Sequence, residues 1–175
     1  LGGIAKGHAI DRAIRTLEQA GLDGGMVDVG GDVACFGRQS GGRDWSVEVK
    51  SPFATENLAR LHLSAGAVAT SGNYARYAEI EGKRYSHILD PRTGRPAEAA
   101  ESVTVLAPTA MVADVWATAL SVLGPEGLRR LPADVEALMV IGSAEDYQIL
   151  STAGFRALLG EPLPQSLTIY EVVQP

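Results

Sequence analysis

The segment AMVADVWATALSVL, residues 110–123, places one carboxylate and one hydroxyl in an otherwise apolar stretch. If this stretch is a helix, Asp114 and Thr118 lie four residues apart and project from the same face. Carboxylate and hydroxyl oxygens are ligands that Mg²⁺ and Ca²⁺ prefer. In the structural alternative, Thr118 bonds back to the carbonyl of residue 114 and Asp114 pairs with an arginine. The spacing alone leaves both interpretations open.

Two glycine-containing segments could bind a phosphorylated ligand. The opening LGGIAKGHA, residues 1–9, puts bare backbone beside Lys6 where a helix begins, and helix N-terminal amides with an ammonium group suit a phosphate. Further on, Gly30, Gly31 and Asp32 interrupt an apolar stretch. This interruption is either an ordinary bulge or a turn that lines a ligand site.

The stretch YSHILDPRTGRP, residues 85–96, concentrates polar and conformationally restricted residues around His87. Pro91 fixes one backbone dihedral, and Asp90 and Arg92 can tie the loop down. A rigid loop that holds one imidazole is what a positioned general base needs. The alternative is a proline-stabilised corner with no catalytic role.

The elements that must hold these groups are mostly strands. The pattern predicts a glycine-rich loop followed by helices at residues 10–20, 110–123 and 126–131. It predicts strands at residues 25–36 (two segments, interrupted at a close backbone approach), 45–49, 67–70, 77–80, 83–88, 103–106, 137–141, 147–151 and 167–173. Turns are expected at Ser71-Gly72-Asn73 and, as a hairpin tip, at Gly41-Gly42. This irregular order favours an α+β (mixed α/β) fold over a doubly wound parallel sheet.

Composition limits the classes of function. The 175 residues are 46% hydrophobic and 21% charged, which fits one globular domain with a real core. A net charge of -6 without a basic run argues against nucleic-acid binding. The single cysteine, Cys35, excludes an intrachain disulfide, and the positions of His8 and His62 are typical of a surface histidine or of one whose hydrogen bonds are satisfied within the fold. No stretch approaches the length of a membrane span.

Five segments in order resemble one family. They are LGGIAKGHAIDRA, VDVGGDV, AVATSGNYARY, YSHILDPRTGRP and TVLAPTAMVADVWATAL, between Leu1 and Gly124. Together they resemble the ApbE family of flavin transferases, the FAD:protein FMN transferases. The resemblance implies an ApbE-like fold in which residues 1–175 form the C-terminal portion of a flavin transferase domain.

The resemblance also implies a reaction. A Mg²⁺-dependent enzyme splits the diphosphate of FAD, links FMN through its phosphate to a threonine or serine of an acceptor flavoprotein, and releases AMP. Asp114, Thr118 and the carbonyl of Gly3 would be metal ligands, and His87 would be the base. The implied contacts to the flavin nucleotide are Lys6, Gly30, Gly31, Asp32, Ser71, Gly72 and the backbone of Ile88.

The sequence leaves two alternatives open. If water replaces the acceptor hydroxyl, the products are FMN and AMP, so the enzyme would be an FAD pyrophosphatase. The family's long N-terminal part, and the aspartate that usually precedes Leu-Gly-Gly, are absent from this sequence, which also allows a flavin-binding fragment without turnover. Family members are typically exported and often lipid-anchored, so we expect an extracytoplasmic location, with any membrane tether outside residues 1–175.

Overall fold

The computed structural model describes residues 2–73, 77–80 and 83–159. Its helices are α1 (Gly2–Gln19), α2 (Ala110–Leu123) and α3 (Ala153–Ala157), and a 3-10 helix covers Gly124–Arg130. The bounds predicted for α2 are confirmed, and Gly124 ends it with a positive φ of 66°. Among these described helices, none is both long and apolar enough to cross a membrane.

The first helix begins earlier than predicted. Residues 2–9, expected to be a loop, are helical, and the backbone departs from helical geometry at Gly3 (φ -90°, ψ 22°). Glycine is a poor helix former on its own. Here the helix packs against α2 through its glycines, so tertiary contact overrides local propensity.

Six of the twelve described strands belong to one antiparallel sheet. The strands are β1 (Gly24–Val29), β2 (Asp32–Gly37), β3 (Trp45–Lys50), β4 (Asn57–Leu63), β5 (Gly66–Gly72), β6 (Tyr77–Ile80), β7 (Lys83–Ser86), β8 (Leu89–Asp90), β9 (Arg95–Pro96), β10 (Ser102–Ala107), β11 (Glu136–Gly142) and β12 (Tyr147–Ser151). The main sheet has the order β1-β2-β5-β10-β11-β12, and β3-β4, β6-β7 and β8-β9 form three separate pairs. The α+β expectation is confirmed, since antiparallel pairing of neighbouring strands excludes a doubly wound sheet.

The main sheet is covered on both faces. Helices α1 and α2 pack on one face, which we call the helix face, and the β3-β4 hairpin and α3 pack on the opposite face. The helix-face core includes Ile10, Ala34, Val103, Val105, Ala113, Leu120 and Met139. The opposite core includes Val33, Leu61, Val68, Leu138, Val140 and Phe155. Because side chains alternate along a strand, each strand residue can be assigned to one face.

Several local predictions were wrong. Gly30 and Gly31 form the two-residue turn of the β1-β2 hairpin, with φ of 63° and 91°, and a Cβ on either would meet no atom within 4 Å. The positive φ at these two positions therefore explains the glycines, and a close backbone approach does not. The strand predicted at residues 67–70 continues to Gly72, because Ser71 and Gly72 still pair with β10.

Other differences lie in the connections. Gly41 and Gly42 were predicted to form a hairpin tip, but they lie in the connection between two different sheets. The strand before them, β2, pairs with β5, and the strand after them, β3, pairs with β4. The strand predicted to reach residue 88 ends at Ser86, and β4 was not predicted. The strand predicted at residues 167–173 lies outside the described residues.

Candidate active site

Helix α1 contacts the carboxylate of Asp114, which the sequence analysis predicts as a metal ligand. Asp114 is only 4% exposed, and its Oδ2 accepts a hydrogen bond of 3.0 Å from the backbone N–H of Gly7. A Cβ on Gly7 would overlap the carbonyl oxygen of Ala110. Gly7 therefore allows the backbone of α1 to reach Asp114, and any side chain there would separate the two helices.

Gly3, one helical turn before Gly7, lies against Thr118. A Cβ on Gly3 would be 2.7 Å from Thr118 Oγ1, closer than real Cβ contacts allow. The non-helical backbone at Gly3 also changes the direction of its peptide group from that of a regular helix. The structure thus brings Gly3 to Thr118 and Gly7 to Asp114 across one helix-helix contact.

These groups fit a hard cation. Within residues 2–73, 77–80 and 83–159, no lysine, arginine or histidine forms an ion pair with Asp114, so the arginine pairing considered above has no support there. A buried carboxylate without a cationic partner is costly. Metal sites rich in His, Cys, Asp and Glu are not found among the same residues. A site of one carboxylate, one hydroxyl and one carbonyl needs no such cluster, and its oxygen donors suit Mg²⁺.

Lys6 links α1 to the main sheet. Its Nζ forms an ion pair with Asp32 Oδ2, and Asp32 Oδ1 accepts a 3.2 Å hydrogen bond from the N–H of Thr70. Asp32 is 2% exposed. Burial raises the pKa of Asp32 above its ordinary value of 3.8, although Lys6 and the Thr70 amide act in the other direction and Asp114 adds to the rise. Asp32 pairs with Lys6 and Asp114 accepts from the N–H of Gly7, the next residue of α1, so both carboxylates lie in one region.

Strand alternation divides the remaining predicted nucleotide contacts between the two faces. Asp32 lies on the helix face because Ala34, two residues later, packs in that core, and Ser71 lies there because it pairs with Val103. Gly72 is buried next to Ser71 in β5.

The hairpin turn faces elsewhere. Gly30 and Gly31 line a cavity of about 520 Å³ on the opposite face, together with Glu48, Lys50 and Thr70. The structure therefore groups Asp32 and Ser71 with the α1-α2 contact, and it does not place Gly30 and Gly31 on that face.

His87 follows β7 at a bend and is exposed. The next residue, Ile88, is 8% exposed and anchors the loop. Both of its backbone polar groups have partners, because its N–H donates to Ser86 Oγ (3.2 Å) and its carbonyl accepts from the N–H of Ala97 (2.8 Å). The buried Ile88 thus fixes the backbone next to the exposed His87.

Asp90 and Arg92 tie the loop down as predicted. Asp90 Oδ1 accepts from the N–H of Arg92 (2.9 Å), and the guanidinium contacts both carboxylate oxygens, at 3.0 Å to Oδ1 and 2.8 Å to Oδ2. The hydrogen bonds from Arg92 hold the pKa of Asp90 below its ordinary value. The Asp90 carbonyl also accepts from Gly94 (2.8 Å), whose φ is 68°. The loop therefore has its own rigid hairpin.

This loop lies beside the C-terminal half of α2. A cavity of about 620 Å³ is lined by loop residues, including Tyr85, Arg92 and Arg95, and by Val122 of α2. Val122 is one helical turn after Thr118, so the stripe of α2 that carries the predicted metal ligands continues to this cavity.

Sequence reasoning missed two residues of the helix contact, Gly7 and Asp11. Gly7 supplies the amide to Asp114, and Asp11 accepts hydrogen bonds from the first two amides of α2. The signal was present, because Gly3, Gly7 and Asp11 recur every four residues and share one helix face. Treating residues 1–9 as a loop concealed this periodicity.

The fold and the site define a class: an α+β protein in which a helix pair on an antiparallel sheet presents oxygen donors suited to a hard cation. Comparison with known proteins identifies the family. The model of the ApbE family matches residues 1–141, so the chain belongs to that family.

Relatives and solved structures agree. The chain is 43% identical over 126 residues to an FAD:protein FMN transferase of Escherichia coli (strain K12), covering 70% of this chain and 36% of the relative. It is 35% identical over 161 residues to one from Klebsiella pneumoniae (strain 342), covering 89% and 46%. The crystal structure of the ApbE protein from Thermotoga maritima superposes with a TM-score of 0.84 at 38% identity, covering 92% of this chain and 53% of that one. This chain thus spans about half the length of the relatives it matches or less.

Proposed function

We propose that this chain carries the catalytic half of a Mg²⁺-dependent FAD:protein FMN transferase. The observation that carries the proposal is the α1-α2 contact, where buried Asp114, which has no ion pair within residues 2–73, 77–80 and 83–159, lies beside the Gly3-Thr118 pair. The names of the relatives support FAD as the substrate and a protein as the acceptor. The Thr or Ser acceptor is inferred from the family motifs, and the metal is inferred from those motifs and from the chemistry of the donor groups.

In the proposed reaction, the acceptor hydroxyl attacks the phosphorus on the FMN side of the FAD diphosphate. A bond forms between the acceptor oxygen and this phosphorus, and the bond from phosphorus to the oxygen of AMP breaks. Nε2 or Nδ1 of His87 takes the hydroxyl proton, and AMP leaves with the bonding electrons. The loop anchored by Ile88 and the Asp90-Arg92 pair keeps the imidazole oriented for this transfer.

The helix contact provides the electrostatic part of the site. Bound Mg²⁺ would offset the negative charge of the diphosphate. Asp114, Thr118 and the Gly3 carbonyl would hold the ion, and the Gly7 amide orients Asp114 for that purpose. Lys6, 35% exposed at its side chain, is free to keep its ion pair with Asp32 and to offer the remaining N–H groups to a phosphate oxygen.

Hydrolysis of FAD is the second candidate, and the exposure of His87 favours it. An exposed base can activate water as well as a protein hydroxyl, which would give FMN and AMP. The two reactions consume FAD alike and differ only in the fate of FMN.

One experiment tests both candidates. The chain is incubated with FAD, Mg²⁺ and an acceptor flavoprotein, AMP is measured by chromatography, and the acceptor is weighed by mass spectrometry. A transferase adds the mass of FMN to the acceptor, and a pyrophosphatase releases free FMN and AMP. FAD binding without AMP release would leave only a flavin-binding fragment and would contradict the proposal. Asp114→Ala should abolish Mg²⁺-dependent AMP release while leaving the acceptor unmodified.

A further inference from the structure

Asp11, in the middle of α1, joins this helix to the start of α2. Its Oδ1 accepts a 2.8 Å hydrogen bond from the N–H of Ala110, and its Oδ2 accepts one of 3.0 Å from the N–H of Met111. These amides are the first two of α2, and they have no acceptor within their own helix. Both carboxylate oxygens of Asp11 are thus committed to a helix that lies about a hundred residues later in the chain.

The two helices match residue by residue along this contact. Gly3 lies at Thr118, Gly7 lies at Asp114 and Ala110, and Asp11 lies at Ala110 and Met111. Residues four apart share a helix face, so one stripe of α1 meets one stripe of α2 with the order reversed. Asp11 is the last residue of this stripe of α1. The other two, Gly3 and Gly7, contact Thr118 and Asp114, the two predicted metal-binding side chains.

Asp11 does more than satisfy the N-terminal amides of α2. Helix α2 already has its own N-cap, Thr109, whose Oγ1 accepts from the N–H of Val112 at 3.4 Å. The Asp11 carboxylate adds bonds that cross between helices, so it restrains how α2 slides or rotates against α1. A shift of α2 by one residue would move Asp114 away from the Gly7 amide and Thr118 away from Gly3.

We propose that Asp11 is a positioning residue for the cation site. It sets the register of α2 against α1 and thereby the mutual placement of Asp114, Thr118 and the Gly3 carbonyl. It touches neither the ion nor the substrate. The inference rests on the proposed function, because it takes these three groups as the metal ligands.

The test compares ion binding with stability in three purified full-chain variants: Asp11→Ala, Asp11→Asn and Thr109→Ala. Mn²⁺, a spectroscopic substitute for Mg²⁺, is titrated with electron paramagnetic resonance detection, and Tm is measured without metal. We expect Asp11→Ala to weaken Mn²⁺ binding by about 10- to 100-fold, the usual effect of losing an outer-shell partner. Thr109→Ala is the matched control. It removes a cap from the same helix end and should lower Tm while leaving Mn²⁺ affinity unchanged.

Asp11→Asn keeps the proposal testable if Asp11→Ala does not fold. An asparagine retains one acceptor oxygen for Ala110 but turns an NH₂ group towards the N–H of Met111, so we expect weaker Mn²⁺ binding with a folded chain. Mn²⁺ affinity equal to wild type in a folded Asp11 variant overturns the inference. An equal loss of affinity in Thr109→Ala also overturns it, since helix stability alone would then explain the result. A wild-type chain that binds no Mn²⁺ overturns the proposed cation site itself, and the inference with it.

Discussion

A Cβ atom on Gly3 would lie 2.7 Å from Thr118 Oγ1, 3.0 Å from its Cγ2 and 3.1 Å from its Cβ. All three atoms belong to one side chain, so Thr118 and not the backbone would have to yield to any larger residue at position 3. The glycine therefore preserves the rotamer of Thr118, a predicted metal ligand, and it allows the two helices to approach closely. This relationship can be tested without removing either oxygen donor.

Gly3→Ala should displace the hydroxyl of Thr118 and weaken Mn²⁺ binding by about tenfold or more. Overlap in a packed contact should also lower the free energy of unfolding by about 1 to 3 kcal/mol. Both are measured by metal titration and by urea unfolding. Gly2→Ala is the matched control, because a Cβ on Gly2 meets no atom within 4 Å. It should leave binding unchanged and, as alanine is the better helix former, stabilise slightly.

A double variant separates the two effects of Gly3→Ala. Adding Thr118→Ala removes Oγ1 and Cγ2, the two closest atoms, so stability should recover while Mn²⁺ affinity stays low. If affinity recovers together with stability, Thr118 does not contribute a ligand.

Asp32→Asn should raise the stability of the folded chain and weaken FAD binding. Burial raises the pKa of Asp32, so the folded chain holds a proton at this site more tightly than the unfolded chain does. Ionised Asp32 is thus a net cost at neutral pH, and this cost is relieved as pH falls through the raised value towards 3.8. We expect the variant to have a higher Tm than wild type at pH 7 and a smaller advantage near pH 4. The opposite trend would show that the Lys6 ion pair outweighs desolvation.

The same substitution should weaken FAD binding by about tenfold, because Lys6 loses the charged partner that positions it. Fluorescence titration of FAD measures the change. Asp28→Asn is a suitable control, since Asp28 is exposed and its Oδ1 accepts a hydrogen bond from the Gly31 amide of the neighbouring hairpin turn, away from Lys6.

Cys35 should resist alkylation in the folded protein. It is 4% exposed in β2, and burial, with a smaller effect of Asp44, raises its pKa to about 11. The thiolate is the reactive form, so iodoacetamide at pH 8 should label the native chain very slowly and the chain unfolded in guanidinium chloride rapidly. Mass spectrometry over time measures both rates, and fast native labelling would contradict the burial of β2.

The predictable part of this site was local. The bounds of α2 followed from an apolar run between Thr109 and Gly124, and the i, i+4 spacing of Asp114 and Thr118 followed from helical geometry. The Asp90-Arg92 pair was predictable because both residues belong to one short loop. Each of these features depends on neighbours within a few positions in the sequence.

The rest depended on contacts distant in sequence. Glycine lowers helix propensity, so the opening segment suggested a loop, whereas the close contacts of Gly3 and Gly7 with α2 favour a helix there. Likewise, Asp11 became significant only once α1 and α2, a hundred residues apart, were placed together. The face on which Asp32 and Ser71 lie required the register of β2 and β5, which no local pattern specifies.

Substitutions of His87 and of the loop that holds it test its role as the base. If His87 accepts the proton of the acceptor hydroxyl, His87→Ala should leave FAD affinity nearly intact and lower the transfer rate by about 10²- to 10⁴-fold. His62→Ala, which changes an exposed histidine of β4, is the matched control and should transfer FMN at the wild-type rate. Asp90→Ala removes the acceptor of four Arg92 hydrogen bonds, so it should lower the rate by a smaller factor through misplacement of the imidazole. Single-turnover rates at saturating FAD, with FAD affinity and Tm measured in parallel, distinguish the possibilities. A scaffold role for His87 predicts instead that His87→Ala lowers Tm and FAD affinity together while the rate at saturating FAD stays near that of wild type, and that result would remove His87 from the proposed mechanism.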